Sequence, residues 1–524
     1  MLSKLPVDLS TFSELRKQKY LYVDKTKYAY ELITGGRRFF LSRPRRFGKT
    51  LFVSTLKEIL LGNKELFHDL WIATSDYAWP KHGLITLDLS TLGIEDADTL
   101  KVGLKEALIR VAREYDINLN ITIDTPEFIL YDLVKALKIK FGRVALLIDE
   151  YDNPILHSLK DAKRAVKIRD GIRRFFAAIK GLDAELDFVF ITGVSNFAKA
   201  GLFSGLNNLQ VITLDDRFAC VCGYTQEEVD HYFKDYLNIW TNKENINPIE
   251  LQQQIKHWYN GYNFSGKSLS VYNPFSLMKA LGAQTFKNFW FQSGAPTFLV
   301  EELENEYRKK EYRLLDLDSL EITEDSLGIF DVGATPLPSL MFQTGYLTIV
   351  NYDRDRNAYK LGYPNLEVKT ALQKHMLAVL AKLDFASADQ ISNQLKAALN
   401  NGVTEEAVKL FKQLFVNVPY QLHVKEEKFY HALLQIACDA AGIKTQSEYP
   451  ISHGRIDVKL ELPNWNYVVE IKFNKNAEEA LKQIEDMGYH EPFVKEGKPI
   501  ILLGLSFHRS PKAFDITYKE KRLL

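Results

Sequence analysis

The chain has 524 residues, 46% of them hydrophobic and 26% charged, with 67 basic residues matched by 67 acidic ones. That length exceeds one ordinary core and points to roughly two to four domains. Zero net charge excludes nucleic-acid binding through bulk charge, so any such footprint must be local. Of three cysteines, Cys220 and Cys222 lie too close for an ordinary bridge and Cys438 is far along the chain, which fits a reducing compartment. No Cys/His set has zinc-site spacing. The first twenty residues lack the apolar run of a secretory signal. No stretch approaches the ~20 apolar residues that span a bilayer. A cytoplasmic protein with no membrane association is expected.

From about residue 37 to 215, short apolar runs alternate with helical patterns. The strand-like runs are FFLS (39–42), GLITLDLS (83–90), RVALLIDE (143–150), DFVFITGV (187–194) and LQVITLD (209–215). Between them lie helical segments such as LFVSTLKEILLG, DTLKVGLKEALIRVAREY and RDGIRRFFAAIKGL. Apolar runs without strict alternation, separated by helices, predict a parallel sheet covered on both faces, an α/β domain. Residues 216–350 are dense in aromatics (HWYNGYNFSG, VYNPFS, FKNFWFQSG) and read as a helical lid or accessory region. NYDRDRNAYKL (351–361) reads as a polar hairpin, and 366–420 as a mainly helical connector. After 421 comes a second α/β pattern. The helix EEKFYHALLQIACDAAG leads to RIDVKLEL and NYVVEIKF, joined at Pro463-Asn464, then to a helix and the strand PIILLGLSF.

LSRPRRFGKTLF (41–52) ends an apolar strand and opens a helix, and it contains Gly48-Lys49-Thr50. A strand–loop–helix of this kind aims backbone N–H groups and the positive helix end at a phosphate. Lys49 would reach terminal phosphates and the Thr50 hydroxyl would bind Mg²⁺. Such a site needs an apolar strand ending in an acid, and RVALLIDEYD supplies one. There Asp149 would hold Mg²⁺ through its water shell and Glu150 would orient or deprotonate the attacking water. A third strand, FVFITGVSN, ends in Thr192, Ser195 and Asn196, placed to sense a γ-phosphate. The bland alternative for LLIDEYD is a buried strand ending in a solvated acidic turn. The pattern G-x-x-x-x-G-K-[ST] would have Gly where Arg43 stands, an angle Arg tolerates poorly. Arg43, Arg45 and Arg46 either add phosphate contacts or are solvated. The expected ATP-binding set is Arg45, Arg46, Phe47, Gly48, Lys49 and Thr50 with Asp149, Thr192 and Ser195.

LSRPRRFGKT, with YLYVDKT (20–26) upstream and LLIDEYDNPI downstream, resembles the bacterial family of AAA-ATPase-like proteins, in which R-P-R-R-F-G-K-[ST] replaces an ordinary phosphate loop. The likeness continues through GYT (223–225), WYNGYNF (258–264), VYNPFSL (271–277) and FQTGYL (342–347). The resemblance implies an N-terminal P-loop NTPase sheet with a helical lid over 1–215 and 216–350. A mainly helical connector over 351–420 is read from the pattern, and the resemblance implies a restriction-endonuclease-like PD-(D/E)xK nuclease domain over 421–524. WYNGY and FQTGYL read as lid packing rather than chemistry.

Metal-dependent phosphodiester cleavage needs carboxylates around Mg²⁺ (or Mn²⁺) and a base or lysine near the attacking water. GRIDVKLELPNWNYVVEIKF places Asp457 on one strand and Glu470 and Lys472 on the next, the latter two on one face. The alternative is a surface hairpin with a cross-strand charge pair. The resemblance implies that Asp457 and Glu470 bind the metal and that Lys472 positions or activates water. It further implies that Glu427, in EKFYH, supports the metal shell and that Gln483 lies near the site, with Tyr489 completing the pattern. His431 either serves chemistry or, the commoner case, packs its helix. Lys163, Lys167 and Arg174 share one helical face, which is solvated or a contact for nucleic acid, with DNA preferred to RNA by the resemblance. That segment could equally carry an arginine that acts across the interface of a homo-oligomer.

Overall fold

Strands β1 (Arg38–Ser42), β3 (Val144–Asp149) and β4 (Phe188–Gly193) are buried along their whole length. Strands buried on both faces need near-continuous apolar runs, which is what the sequence provides. With β2 (Gly83–Asp88) and β5 (Gln210–Val211) they form one parallel sheet in the order β2-β3-β4-β1-β5. The computed structural model describes residues 2–119, 123–196, 201–203, 206, 208–267, 269–292, 320–327, 336–416, 418, 427–451, 454–494, 497–510 and 513–523. Because β4 lies between β1 and β3, the strand carrying the phosphate-type loop and the strand ending in Asp149 are not neighbours. The loops after β1, β3 and β4 gather at one edge of the sheet, where ligands of open α/β sheets bind.

The fifth strand is much shorter than LQVITLD suggests. Ile212 N still bonds to the Phe40 carbonyl, but at the next rung the Thr213 hydroxyl, not the backbone, accepts from Ser42 N at 3.0 Å, and the ladder stops. GLITLDLS likewise ends at Asp88, whose side chain accepts Ser90 N and turns the chain. Helix Lys49–Leu60 packs on β2, β3 and β4, while helices Ala97–Glu114, Pro126–Phe141 and Ala162–Gly181 pack on one another.

The lid is helical over Gln226–Tyr232, Lys234–Glu244, Pro248–Tyr259 and Pro274–Ala283, around a core of Val229, Phe233, Trp240, Tyr259 and Leu277. It is not wholly helical. β6 (Leu320–Thr323), β7 (Thr348–Asp353) and β8 (Ala358–Gly362) form a small antiparallel sheet in the order β6-β8-β7. The segment read as a polar hairpin is the β7–β8 pair.

The chain divides into two compact units, one within residues 2–292 and 320–365, the other within 366–523. In the second, helices Leu366–Leu380, Phe385–Asn400, Thr404–Val416 and Glu427–Ala440 precede a mixed sheet. Its strands are β9 (Lys444–Ile451), β10 (Gly454–Glu461), β11 (Asn466–Phe473), β12 (Ile500–Ser510) and β13 (Ala513–Leu523), in the order β13-β12-β11-β10-β9. Only β11 and β12 are parallel, and helix Ala477–Asp486 lies between them in the chain. The alternation of β11 feeds two cores. Tyr467, Val469 and Ile471 join one, and Val468 joins Ile484, Tyr489 and Phe493 in the other. The edge strands β9 and β13 are additions to the sequence reading. They are polar and half exposed, so they lack the apolar run by which the inner strands announce themselves.

Candidate functional site

Gly48 is the residue before helix Lys49–Leu60, with φ +93°, and no side chain caps the helix start. A left-handed angle there costs Gly nothing and lets the loop turn its amides outward. The first N–H groups of that helix are thus left for an outside partner, with the positive end of the helix dipole behind them. Lys49 Nζ folds over the loop, donating to the carbonyls of Arg43 (3.1 Å) and Pro44 (3.3 Å), and lies 3.5 Å from Glu150 Oε1.

Arg43 neither contacts the cavity nor is solvated. It is fully buried, donating to the carbonyls of Ser42 (2.9 Å), Thr213 (2.8 Å) and Phe218 (3.1 Å), with its guanidinium 4.2 Å from the Phe264 ring centre. Burial pushes its pKa down to about 10, so it stays charged at neutral pH. Nor does its backbone adopt the angle expected of a glycine at that place. The left-handed angles of the loop are at Arg46 and Gly48. Arg43 is thus a tie between the β1–β5 edge and the lid. Arg45 and Arg46 are exposed, and the Arg46 guanidinium lies 4.9 Å from the Phe275 ring. Phe47 is buried edge-on against Tyr262 and Phe264. Pro44 packs on Gly345, and Trp290 Nε1 donates to the Arg45 carbonyl at 3.1 Å. The aromatic motifs WYNGYNF, VYNPFSL and FQTGYL therefore clasp the loop.

Asp149 ends β3 in a buried position, where desolvation holds its carboxyl above the usual range against the opposing hydrogen bonds of Thr192 and Thr50. Thr192, on the intervening β4, hydrogen-bonds Asp149 directly and does not itself line the cavity. Glu150 has φ +50°, uncommon outside Gly, which swings its carboxylate toward Lys49. Ser195 is fully buried and is not among the residues lining the cavity, its backbone held by Asp152 and Tyr151.

Arg45, Arg46, Phe47, Gly48, Lys49, Thr50 and Glu150 line a cavity of about 480 Å³, with Asp149 behind Thr50 and outside the lining. The rest of its wall mixes apolar side chains (Val7, Leu21, Val23, Tyr224, Phe275 and Met278) with polar ones (Asp8, Ser10 and Asn153). Lys25, from YLYVDKT, fastens this wall by donating to the Cys220 carbonyl (2.8 Å) and pairing with Glu228 (2.6 Å). The donor set fits a magnesium nucleotide: an uncapped helix start, a lysine, a hydroxyl and a buried carboxylate, with an apolar slot for a base. Sequence reasoning missed that slot, Asp88 and Asp152. Asp88 ends β2 in register with Asp149 and lines the cavity, a signal visible as a second strand ending in an acid. Asp152 is buried and accepts Val194 N (3.1 Å) and Ser195 N (2.6 Å); burial raises its pKa to about 6.

In the second unit Val458 pairs with Val469, so Asp457 and Glu470 are the next residues on two antiparallel strands. Asp457 Oδ2 accepts Ile471 N at 2.8 Å, and Glu470, which is buried, accepts Lys472 Nζ at 2.8 Å. Alternation puts Glu470 and Lys472 on the face of β11 that Val468 presents to Ile484 and Tyr489. Gln483, half buried, precedes Ile484 on helix Ala477–Asp486. His431 hydrogen-bonds the Asp457 carbonyl and so braces helix Glu427–Ala440 against β10. Glu427 opens that helix, and its side chain lies outside the described residues. Two carboxylates suit Mg²⁺, which keeps several waters. No group of three His, Cys, Asp or Glu placed to hold a metal occurs among the described residues.

Lys163, Lys167 and Arg174 are exposed on helix Ala162–Gly181, together with Arg173 and Lys180. Among the described residues no helix is long and apolar enough to cross a membrane.

The family described as predicted AAA-ATPase matches residues 6–203, and the PD-(D/E)XK nuclease superfamily matches residues 425–513. An uncharacterized protein in the vnfD 5′ region of Azotobacter chroococcum mcd 1 is 35% identical over 526 residues, covering 97% of each chain. Among solved structures, the Orc1 protein of Aeropyrum pernix in complex with DNA aligns with 67% of this chain and 91% of its own, at 11% identity. Its TM-score of 0.25 is too low to bear on fold or ligand.

Proposed function

Since the chain belongs to the AAA-ATPase-like family that carries a PD-(D/E)xK nuclease-superfamily domain, we propose that it binds and hydrolyses ATP in its first unit and cleaves nucleic acid, DNA in preference to RNA, with its second. The observation that carries the reading is that Lys49, Thr50 and Glu150, with Asp149 behind Thr50, share a cavity with the apolar side chains of Val23, Tyr224, Phe275 and Met278. The base of ATP lies against Val23, Tyr224 and Phe275, and its phosphates lie on the start of helix Lys49–Leu60. Lys49 exchanges the Arg43 and Pro44 carbonyls for phosphate oxygens. Thr50 and Asp149 hold Mg²⁺, with Thr192 fixing the Asp149 carboxylate, and Glu150 takes up the proton of the attacking water. In the second unit Asp457 and Glu470 hold Mg²⁺ or Mn²⁺, Glu427 and Gln483 border the site, and Lys472 positions the water. Bound metal supplies charge neutralisation and a more acidic water at both sites. The exposed cations of helix Ala162–Gly181 support nucleic acid as the polyanionic partner. The unpaired, buried cysteines support a cytoplasmic location.

A second reading is a nucleotide-dependent switch or scaffold that holds nucleic acid or protein without cutting. It draws on one observation, that Arg43 stands where the ordinary phosphate loop has its first Gly. Cleavage of labelled single- and double-stranded DNA with Mg²⁺ or Mn²⁺, with and without ATP, separates the two. Cutting lost in Asp457→Ala establishes the nuclease; absence of cutting by folded wild type moves the assignment to the switch.

A further inference from the structure

WYNGYNF (258–264) touches two different places within the first unit. On one side Tyr262 meets Phe47 of the phosphate-type loop at 4.6 Å between ring centres and Phe264 meets it at 5.6 Å, with the Arg43 guanidinium over Phe264. On the other side the same backbone meets the last residues of that unit. Asn365 Nδ2 donates to the Asn260 carbonyl at 2.9 Å, and a Cβ built on Gly261 would stand 1.9 Å from the Pro364 carbonyl oxygen. Gly261 also has φ +105°, so both its angle and its surroundings demand glycine. Between the two contacts the segment is pinned. Tyr262 N donates to the Val271 carbonyl at 3.2 Å, and Asn263 N donates to Thr348 Oγ1 at 2.7 Å.

We infer that residues 260–264 act as a strut between the phosphate-type loop and the point at which the chain passes from the first unit into the second. Gly261 and Asn365 are its positioning residues. The inference rests on the nucleotide reading of the loop. A phosphate that draws Lys49 off the Arg43 and Pro44 carbonyls moves the backbone to which Arg43 and Phe47 belong. Close-packed side chains hand such a displacement on rather than absorb it. Phe264 and Tyr262 receive it, and the pinned backbone delivers it to Pro364 and Asn365. Nucleotide occupancy thereby sets the backbone at Pro364 and Asn365, where the first unit ends.

Hydrogen exchange on the full chain, with and without ATP and Mg²⁺, tests this, alongside affinity for a fluorescent ATP analogue. In wild type, nucleotide slows exchange of the Tyr262 and Asn263 amides and of residues 361–366 by at least about fivefold. Asn365→Ala keeps nucleotide affinity within about twofold, keeps the slowing at Tyr262 and Asn263, and loses it at 361–366. Gly261→Ala loses it at both; if that variant does not fold, Asn365→Ala carries the test. Nucleotide binding with unchanged exchange at these amides, or an Asn365→Ala response equal to wild type, overturns the strut and leaves the nucleotide reading standing. A wild type that binds no nucleotide overturns both.

Discussion

Arg43→Met isolates the most unusual residue of the loop, since Met fills a similar volume and donates no hydrogen bond. Three carbonyls lose a charged donor, at 2.9, 2.8 and 3.1 Å. At ~1.5–3 kcal/mol for each bond to a charged group, the ceiling is about 4.5–9 kcal/mol. The fall of the Arg43 pKa to about 10 shows that burial takes back about 3 kcal/mol. The contact with Phe264 returns about 1 kcal/mol. The net is a loss of about 4 kcal/mol, a large part of the ~5–15 kcal/mol that holds a domain together. Thermal or urea unfolding of the full chain should show the transition of the first unit shifted by that amount and the second unit's transition unmoved. Arg43→Lys should fall between, because one ammonium cannot span three carbonyls. A variant within about 1 kcal/mol of wild type, with weakened ATP binding, would refute the tie and restore Arg43 as a phosphate ligand.

Lys49→Ala should weaken binding of a fluorescent ATP analogue at least ~100-fold, about 2.7 kcal/mol, because it removes the buried cation at the helix start. Asp152, its pKa raised to about 6 by burial, binds its proton more tightly folded than unfolded. It therefore costs stability above pH 6 and progressively less as pH falls toward 4. Asp152→Asn should remove a component of about 2 kcal/mol from the difference in unfolding free energy between pH 4 and pH 6. Charge reversal at Lys163, Lys167 and Arg174 should reduce the slope of log affinity against log salt for DNA by about one per residue, while ATP affinity holds. Lys472→Ala should slow cleavage at least ~100-fold with DNA binding retained.

Much of the first unit is legible because its strands are buried on both faces and its acids end strands. FFLS, RVALLID and FVFITG could be aligned into one sheet, and Lys49, Thr50 and Glu150 line one cavity with Asp149 behind Thr50. The order that puts Thr192 between the loop and Asp149 was not legible, because pairing among parallel strands leaves no local mark. Arg43 misled for a physical reason. An arginine in a basic loop looks solvated or anion-bound, and only the carbonyls of Thr213 and Phe218, distant in sequence, reveal it as interior. The apolar slot is assembled from residues 7 to 278, so no window of sequence contains it. In the second unit the pairing of the strands that carry Asp457 and Glu470 follows from a tight turn at Pro463-Asn464.

The outermost strand of the second sheet has a bearing on solubility. β13 covers the whole length of β12, from Ile500↔Leu523 to Ser510↔Ala513. Its own residues include Lys519, Lys521 and Arg522, charges that discourage a further strand from adding. β12 has no such protection: Ile500 to Phe507 are buried and almost wholly apolar. Removal of the last strand by proteolysis or truncation would bare the apolar run 500–507 as a template for cross-chain pairing. The charged strand thus serves as a guard for the apolar one beside it, and the yield of shortened chains should hinge on whether residue 513 onward is kept.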